Sequence, residues 1–248
     1  MKLAAVLACR NQSSRLYAKP LQNLDVKQGI SILDFLIRQL KTKKEINAIV
    51  LAISEAPENI IFKGVAERHQ VPFVSGDDDD VLGRLIKGAN LVAADQVFRV
   101  TTESPYCYLD NLQVIYDEHC RKNIDYSSTS GLPDGAYFEI IRYQALKRSW
   151  DEGGAPYRNE LCTRFIFDHQ DQFTIKQHAV PLEVQADDVR LTVDWPEDLV
   201  VLRKIYEDLN LNADQPVSMQ RIIQYLRANP QINQINNWID SGIGRVWY

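Results

Sequence analysis

The stretch Leu3-Ala-Ala-Val-Leu-Ala-Cys-Arg-Asn-Gln-Ser-Ser-Arg-Leu-Tyr-Ala-Lys-Pro-Leu21 indicates both the fold and the place of its chemistry. It opens with an unbroken apolar run, which predicts a strand covered on both faces. The loop that follows carries Arg10, Arg15 and Lys19. Asp25 is the first acidic residue of the chain, so no local carboxylate neutralises these cations. Such a loop suits phosphate oxygens and predicts a polyanion site, although charge alone also allows a solvated loop without a ligand.

Strand-like apolar runs alternate with helical segments along most of the chain. The predicted strands are residues 3–8, 48–53, 72–74, 97–101 and 190–193, and a serine-capped helix is predicted over residues 31–42. This rhythm predicts an α/β fold with one Rossmann-like, mostly parallel central sheet and helices on both faces. Ligands of such sheets bind beyond the carboxyl ends of the strands. The loop at residues 9–20, the turn at 102–105 and the end of 190–194 are therefore predicted to meet.

The second half of the chain is less regular. Residues 126–129 and 138–142 are predicted as strands, and residues 160–169 and 219–228 as helices. We expect an α/β domain over residues 1–210 and a small helical C-terminal extension over residues 211–248. Because Trp238, Trp247 and Tyr248 are large and apolar, the extension is predicted to pack on the core or on a second subunit.

Composition narrows the class of protein. The chain has 248 residues, a net charge of -5 and 45% hydrophobic residues, which predicts one well-buried domain and argues against nucleic acid as a partner. No apolar run approaches the roughly 20 residues of a membrane span, and no signal-peptide pattern opens the sequence, so a cytoplasmic protein without a membrane partner is expected. The four cysteines and four histidines are scattered, which predicts reduced thiols and packing histidines.

Four ordered motifs resemble those of a known enzyme family. They are Arg10-x-x-Ser13-x-Arg15-Leu16-x-x-Lys19-x-Leu21, Gly76-Asp-Asp-Asp-Asp80-Val-Leu-Gly-Arg84, Arg99-Val-Thr-Thr-Glu-Ser-Pro105 and Leu191-Thr-Val-Asp194-Trp-Pro-Glu-Asp-Leu199. In type and order they resemble the motifs of the CMP-sugar synthetases, the acylneuraminate and KDO cytidylyltransferases, and most closely those of the spore-coat polysaccharide SpsF branch. The resemblance implies a nucleotidyltransferase with a GT-A-like fold that forms a homodimer.

The resemblance also implies a reaction and its residues. CMP would pass from CTP to a small acidic acceptor, an acidic sugar or a hydroxylated or phosphonate acid, with release of pyrophosphate and with Mg²⁺, or Mn²⁺ as an alternative ion, held by Glu103 and Asp194. The implied catalytic cations are Arg10, Arg15 and Lys19. The nucleotide would contact Ala8, Arg10, Ser13, Arg15, Lys19, Asp80, Arg84 and Thr101. The acceptor would contact Arg99, Glu139, Arg142, Glu160 and Trp195, with Arg84 as a further cation for its acidic group.

Three departures from the family pattern lie near the predicted site. Tyr17-Ala18 replaces a Pro-Gly pair, so the cationic loop is predicted to turn less sharply. Thr102-Glu103 replaces Gly-Asp, which lengthens a metal ligand by one methylene. Trp195 stands at the predicted N-cap of a helix and has no side-chain acceptor, which predicts a poorly capped terminus.

Two other functions remain open at the sequence level. A nucleotide-sugar glycosyltransferase would need a D-x-D metal motif, and the acidic run 77–80 contains that string, but its place before a helix and not clearly at a strand end favours a solvated turn. Asp80 and Arg84, four residues apart, could also pair with each other. The three departures together allow a degenerate family member that binds nucleotide without turnover.

Overall fold

The computed structural model describes residues 1–239 of the chain. Its strands are β1 (Leu3–Cys9), β2 (Asn23–Asp25), β3 (Ile30–Ser31), β4 (Ile46–Ser54), β5 (Phe73–Gly76), β6 (Gln96–Arg99), β7 (Tyr126–Ser130), β8 (Glu139–Arg142) and β9 (Ile175–Ala179). Its α-helices are α1 (Ile32–Lys41), α2 (Ile61–His69), α3 (Val81–Leu91), α4 (Leu112–Arg121), α5 (Tyr143–Gly153), α6 (Arg164–Asp168), α7 (Pro196–Asp208), α8 (Met219–Ala228) and α9 (Pro230–Asn233).

A central sheet organises the described residues. Its strand order is β5-β4-β1-β6-β8-β7-β9, and β2 pairs with β3 in a separate small ribbon. Every neighbouring pair in the central sheet is parallel except the two pairs that include β8. The predicted mostly parallel α/β sheet is therefore confirmed, and β1 and β6 lie side by side with their carboxyl ends at the same edge.

Strand β1 is covered on both faces, as its apolar run predicts. Leu3, Ala5 and Leu7 face one core with α1, α2, α4, α7 and α8, whereas Ala4 and Val6 face a second core with α3 and α5. On the second face α3 approaches β1 closely, because a Cβ atom on Gly88 would lie 2.6 Å from Val6. This tight packing fixes α3 against β1.

The predicted capped helix is confirmed as α1. The backbone N–H of Asp34 donates to Ser31 Oγ at 3.0 Å, and the N–H of Ser31 donates to Asp34 Oδ2 at 3.1 Å. This reciprocal pair satisfies two otherwise unpaired N–H groups and marks the start of the helix.

Two sequence-based elements differ from the structure. Residues 190–193 are not a strand of the sheet, since only an isolated bridge joins Arg190 to Asp134, and β9 occupies the sheet edge instead. Leu191 and Val193 of this segment are buried in the main hydrophobic core, and Arg190 is buried through its ion pairs. The helix predicted over residues 160–169 is confined to α6, because Leu161 N–H donates to Asn159 Oδ1 at 2.8 Å in a preceding turn.

The C-terminal part of the described chain joins the main core. Met219, Ile222, Ile223 and Leu226 of α8 are buried in the same cluster as α1 and α7. Trp238, in contrast, is 70% exposed, and Trp247 and Tyr248 lie outside the described residues. The four cysteines are free, in agreement with the sequence, and no helix within residues 1–239 is long and apolar enough to cross a membrane.

Candidate active site

A cavity of about 780 Å³ opens at the carboxyl ends of β1 and β6. Its walls come from the cationic loop (residues 10–20), the turn after β6, residues 134–137, residues 192–195 and the C-terminal residues 238–239. Most of the sequence-predicted residues line this cavity: Ala8, Arg10, Ser13, Arg15, Lys19, Arg84, Arg99, Thr101, Glu103, Glu160, Asp194 and Trp195. The three segments that were predicted to meet therefore do so.

Asp194 joins the two sides of the cavity. Its Oδ1 atom accepts hydrogen bonds from Lys19 Nζ at 2.6 Å and from Arg15 at 2.5 Å. Its Oδ2 atom accepts from Arg190 at 2.6 Å. Burial alone would raise the pKa of Asp194, but the contacts with Lys19, Arg190 and Arg15 leave this pKa below its usual range. Asp194 is therefore a carboxylate at neutral pH, with one oxygen facing the cationic loop and the other facing the interior.

Arg190 is the interior partner of Asp194, and it belongs to a network of ion pairs that the sequence did not reveal. It is 4% exposed and binds Asp134 and Asp198 as well as Asp194. Burial raises the pKa of Asp134 to about 6 even though Arg190 lies against it. The sequence did show charged residues beside an apolar run: Arg190 precedes Leu191, and Asp198 lies in the first turn of α7. Nothing in the sequence showed that these residues pair.

The first turn of α7 is better satisfied than the sequence predicts. Trp195 is the N-cap, and its indole supplies no acceptor, as expected. Asp198 Oδ2 instead accepts from the backbone N–H groups of Asp194 and Trp195, each at 2.8 Å. The predicted poor capping is therefore wrong in part, because the helix carboxylate itself binds the entering backbone. This contact also holds the main chain of Asp194.

Glu103 lies on the turn after β6 and has a different environment. Burial raises its pKa, outweighing the charge of Lys19, and the nearby negative charge of Asp194 raises it further. No residue within 1–239 forms an ion pair with Glu103. Neighbouring Thr102 is buried and donates its hydroxyl to the carbonyl of Ala8 at 3.1 Å, so the residue that replaces glycine ties β6 to the end of β1.

Glu103 and Asp194 are close enough for their charges to interact, but they stand alone as potential metal ligands. Within residues 1–239, no group of three or more His, Cys, Asp or Glu side chains could hold a metal ion. Two carboxylates suit a hard divalent cation that takes its remaining ligands from phosphate oxygens and water.

The third loop cation pairs with a different acid. Arg10 contacts Glu160 at 2.8 Å, and both side chains are about half exposed or more. Glu160 also accepts from Arg99 through its backbone carbonyl at 3.2 Å. Arg99 in turn pairs with buried Glu139, which accepts from Tyr126 Oη at 2.7 Å. Glu139 therefore lies outside the cavity lining, and it holds Arg99, which does line the cavity.

Besides Glu139, two further predicted residues lie apart from the cavity lining. Asp80 caps α3 through Gly83 N–H at 2.6 Å and accepts from the indole of Trp150 at 2.9 Å. Arg142 lies 3.5 Å from Asp125 and does not reach the cavity.

Arg84 lines the cavity but lies almost fully buried. It donates to the carbonyls of Ala52 at 3.0 Å and Cys9 at 3.4 Å. It does not pair with Asp80, which corrects the alternative considered from their spacing.

The cationic loop keeps a sharp turn. Ala18 has φ 53°, in the left-handed region, and its N–H donates to the carbonyl of Asn11 at 2.8 Å. The predicted gentler turn is therefore wrong, because alanine adopts the conformation for which glycine is favoured. A side chain in this region costs about 1 kcal/mol, so the loop retains this turn at an energetic cost.

Comparison with known proteins agrees with these motifs. A family model described as cytidylyltransferase matches residues 4–231. The chain is 26% identical over 238 residues to an uncharacterized protein of Methanocaldococcus jannaschii, covering 96% of this chain and 95% of that protein. It is 24% identical over 235 residues to the spore coat polysaccharide biosynthesis protein SpsF of Bacillus subtilis, covering 91% and 94%.

Solved structures share the fold. A cytidylyltransferase from Leptospira borgpetersenii superposes with a TM-score of 0.84 at 22% identity, covering 94% of this chain and 97% of that one. CMP:2-keto-3-deoxy-manno-octonic acid synthetase complexed with CTP gives a TM-score of 0.65 at 13% identity, covering 84% and 100%. Since the family model spans nearly the whole chain, this protein belongs to the cytidylyltransferase family and is a CTP-using nucleotidyltransferase.

Proposed function

We propose that this enzyme transfers CMP from CTP to an oxygen of a small acidic acceptor and releases pyrophosphate. The observation that carries the proposal is the meeting of Arg15 and Lys19 with Asp194 in one cavity. These residues are far apart in the sequence. Together they supply cations for phosphate and a carboxylate of the type that holds a divalent metal. Phosphoryl transfer depends mainly on such positioning and charge neutralisation.

Arg10, Arg15 and Lys19 are the proposed partners of the β- and γ-phosphates. Arginine offers a planar pair of donors and lysine a compact charge, so the three together stabilise the negative charge that develops on the leaving pyrophosphate. Arg10 and Arg15 are about half exposed and are paired with Glu160 and Asp194, so phosphate can replace these carboxylates without breaking a packed core.

A divalent cation, Mg²⁺ or Mn²⁺, is proposed to bind at Glu103 and Asp194. The fit rests on their chemistry: hard carboxylate oxygens near each other, with a raised pKa at Glu103 that reflects burial without an ion-pair partner in the described chain. When bound, the ion would neutralise phosphate charge and lower the pKa of the attacking hydroxyl. The protein's own part is to keep Asp194 ionised through Arg190 and to place Glu103 at the end of β6.

The acceptor is proposed to be an acidic sugar or a related hydroxylated or phosphonate acid. Arg84 and Arg99, which line the cavity, remain as cations for its acidic group, whereas Arg142 lies apart from the lining. The name of the SpsF relative, spore coat polysaccharide biosynthesis protein, supports a role in polysaccharide biosynthesis. Residence in the cytoplasm and assembly as a homodimer are further parts of the proposal, and light scattering of the purified chain tests the dimer.

The glycosyltransferase alternative finds no support in the acidic run. Asp77 Oδ1 accepts from the backbone of Asp79 and Asp80 at 2.9 and 3.0 Å, and Asp78 contacts Ser54 and the N–H of Ala56. These carboxylates stabilise a turn and the start of α3. Turnover distinguishes the proposed transferase from the degenerate family member, which would bind nucleotide without reaction.

The test is a pyrophosphate-release screen with CTP and Mg²⁺ over acidic sugars and phosphonates, with UTP, ATP and GTP in parallel. We expect release that depends on both CTP and an acid acceptor. Binding of CTP without release from any acceptor would favour the degenerate binder. Faster release from UTP or ATP than from CTP would contradict the cytidylyl assignment.

A further inference from the structure

The C-terminal residues of the described chain reach the substrate cavity. Trp238 and Ile239 line its wall beside Trp195, although more than 40 residues separate the two tryptophans in sequence. Trp238 is 70% exposed, and its indole N–H donates to the carbonyl of Ile235 at 2.9 Å. A large apolar ring thus lies at the cavity with its orientation set locally and with most of its surface open to a ligand.

Asn236 attaches this segment to the interior. It is fully buried, and its Nδ2 donates to Asp198 Oδ1 at 2.9 Å and to the carbonyl of Arg190 at 3.2 Å. Asp198 also accepts from the backbone N–H groups of Asp194 and Trp195. One carboxylate therefore holds both the entrance of α7, which carries Trp195, and the C-terminal segment, which carries Trp238.

We propose that Trp238 is a specificity-determining residue that contacts the acceptor, and that Asn236 is the positioning residue that holds it there. The proposal rests on the proposed transfer to an acid acceptor. The acceptor that would contact Trp238 and Trp195 carries both an anionic group and a ring, and this ring has an apolar face.

The neighbours of Trp195 favour the acceptor over the nucleotide as the ligand of the two indoles. Trp195 directly follows Asp194, which contacts Arg15 and Lys19, the proposed phosphate partners, and Trp238 lines the same cavity. Val81 and Arg84 line the cavity from α3, which packs against β1 and β4. The inference assigns the nucleoside to the wall formed by α3 and the acceptor to the wall that carries Trp195 and Trp238.

The experiment compares ring-bearing acids, N-acetylneuraminate and a hexuronate, with the acyclic acids glycerate and 2-hydroxyethylphosphonate in the CTP-dependent pyrophosphate assay. We expect the wild type to prefer a ring-bearing acid. Trp238→Ala should raise the KM for that acid about fivefold or more, because stacking on an apolar face is lost, while the KM for CTP and kcat stay within about twofold. Trp238→Phe should recover part of the loss, and Leu182→Ala, far from the cavity lining, should match the wild type.

Asn236 has a separate signature. Asn236→Ala should raise the acceptor KM in the same way, and Asn236→Ala combined with Trp238→Ala should be no worse in acceptor KM than Trp238→Ala alone, because the two residues act as one unit. A purely structural asparagine would lower the melting temperature and leave the acceptor KM unchanged. That result, or additive KM effects, would overturn its positioning role.

The remaining outcomes are also decisive. Equal use of ring-bearing and acyclic acids, or a Trp238→Ala effect on the KM for CTP, would overturn the inference while leaving the proposed function intact. Release of pyrophosphate from no acid at all would overturn both. A ring preference that survives Trp238→Ala would leave the transfer reaction standing and remove Trp238 from it.

Discussion

Asp194 is bound from two sides that differ in almost every physical respect. Arg15, on the cationic loop, is 47% exposed, and the loop itself contains no acidic residue. Arg190, on the interior side, is 4% exposed and binds three aspartates. An exposed pair contributes little to stability and exchanges readily, whereas a buried network leaves uncompensated charge when one member is removed. The loop side is thus suited to release Asp194 for phosphate, and the interior side is suited to hold it.

The largest effect is expected at the interior side. Arg190→Met leaves Asp134, Asp194 and Asp198 without their shared cation, so the free energy of unfolding should fall by about 3–5 kcal/mol. Arg227→Met removes an exposed arginine that pairs with Asp188, and it should cost less than about 1 kcal/mol. Urea unfolding of the two variants provides the comparison. Equal losses would mean that burial of the Arg190 network has no energetic consequence.

Substitution of Glu103 should change stability and activity in opposite directions. Its pKa is raised in the folded state, so its contribution to stability is present at low pH and is lost as pH rises through the folded pKa. Glu103→Gln removes the cost of burying the ionised carboxylate, so it should raise the melting temperature at pH 7. This gain should vanish below about pH 4. The same variant should lose at least about tenfold in kcat/KM, since a proposed metal ligand is lost.

Two related variants sharpen that prediction. Glu103→Asp should retain activity with Mg²⁺ and shift the preference between Mg²⁺ and Mn²⁺, because Mg²⁺ demands stricter ligand geometry. Asp194→Asn should lose as much activity as Glu103→Gln. A fully active Glu103→Gln enzyme would show that the carboxylate is not needed for a metal and would favour the degenerate binder.

Arg15, the exposed cation of the loop side, should affect catalysis and leave stability nearly unchanged. Arg15→Ala or Lys19→Ala should lower kcat/KM by at least tenfold, roughly 1.4 kcal/mol, because each cation is proposed to stabilise leaving-group charge. The free energy of unfolding of Arg15→Ala should stay within about 0.5 kcal/mol of the wild type. Steady-state kinetics and urea unfolding of the same preparations check both parts, and unchanged kinetics in both variants would identify the loop as ordinary solvated surface.

The smallest expected effect concerns the shape of the loop. Ala18→Gly relieves the left-handed conformation at φ 53° and should raise the free energy of unfolding by about 1 kcal/mol. Urea unfolding measures the change, and Ala56→Gly, at an ordinary negative φ, is the matched control and should not stabilise. A destabilising Ala18→Gly would show that this turn carries no strain.

The two sides of Asp194 also differ in how far sequence predicts them. Arg10, Arg15 and Lys19 share one short loop after an apolar strand, so local sequence is enough to place them together. Arg190 and Asp134 are brought together by long-range packing, and a single sequence carries no record of such pairing.

Packing of the C-terminal extension was predicted from its apolar residues, but the contact that brings residues 236–239 to the cavity was not, for a similar reason. Asn236 contacts Asp198 across the fold, and its polar, Asn-rich surroundings resemble a solvated tail. The segment at residues 190–193 was misassigned as a strand because Leu191 and Val193 are buried in the core, and a buried connecting segment leaves the same apolar pattern in sequence as a buried strand. The sheet itself was predictable because the period and length of its apolar runs are local properties.

The most direct test is isothermal titration of CTP into wild type, Asp194→Asn and Arg15→Ala, with EDTA present to remove divalent ions. If Asp194 holds the phosphate-binding cations until the triphosphate displaces it, Asp194→Asn should bind CTP about threefold tighter or more than the wild type, and Arg15→Ala should bind more weakly. Asp194→Asn would thus gain affinity while losing turnover. Equal affinities in all three proteins would contradict the account, because neither the cations nor their carboxylate would then be part of a triphosphate site.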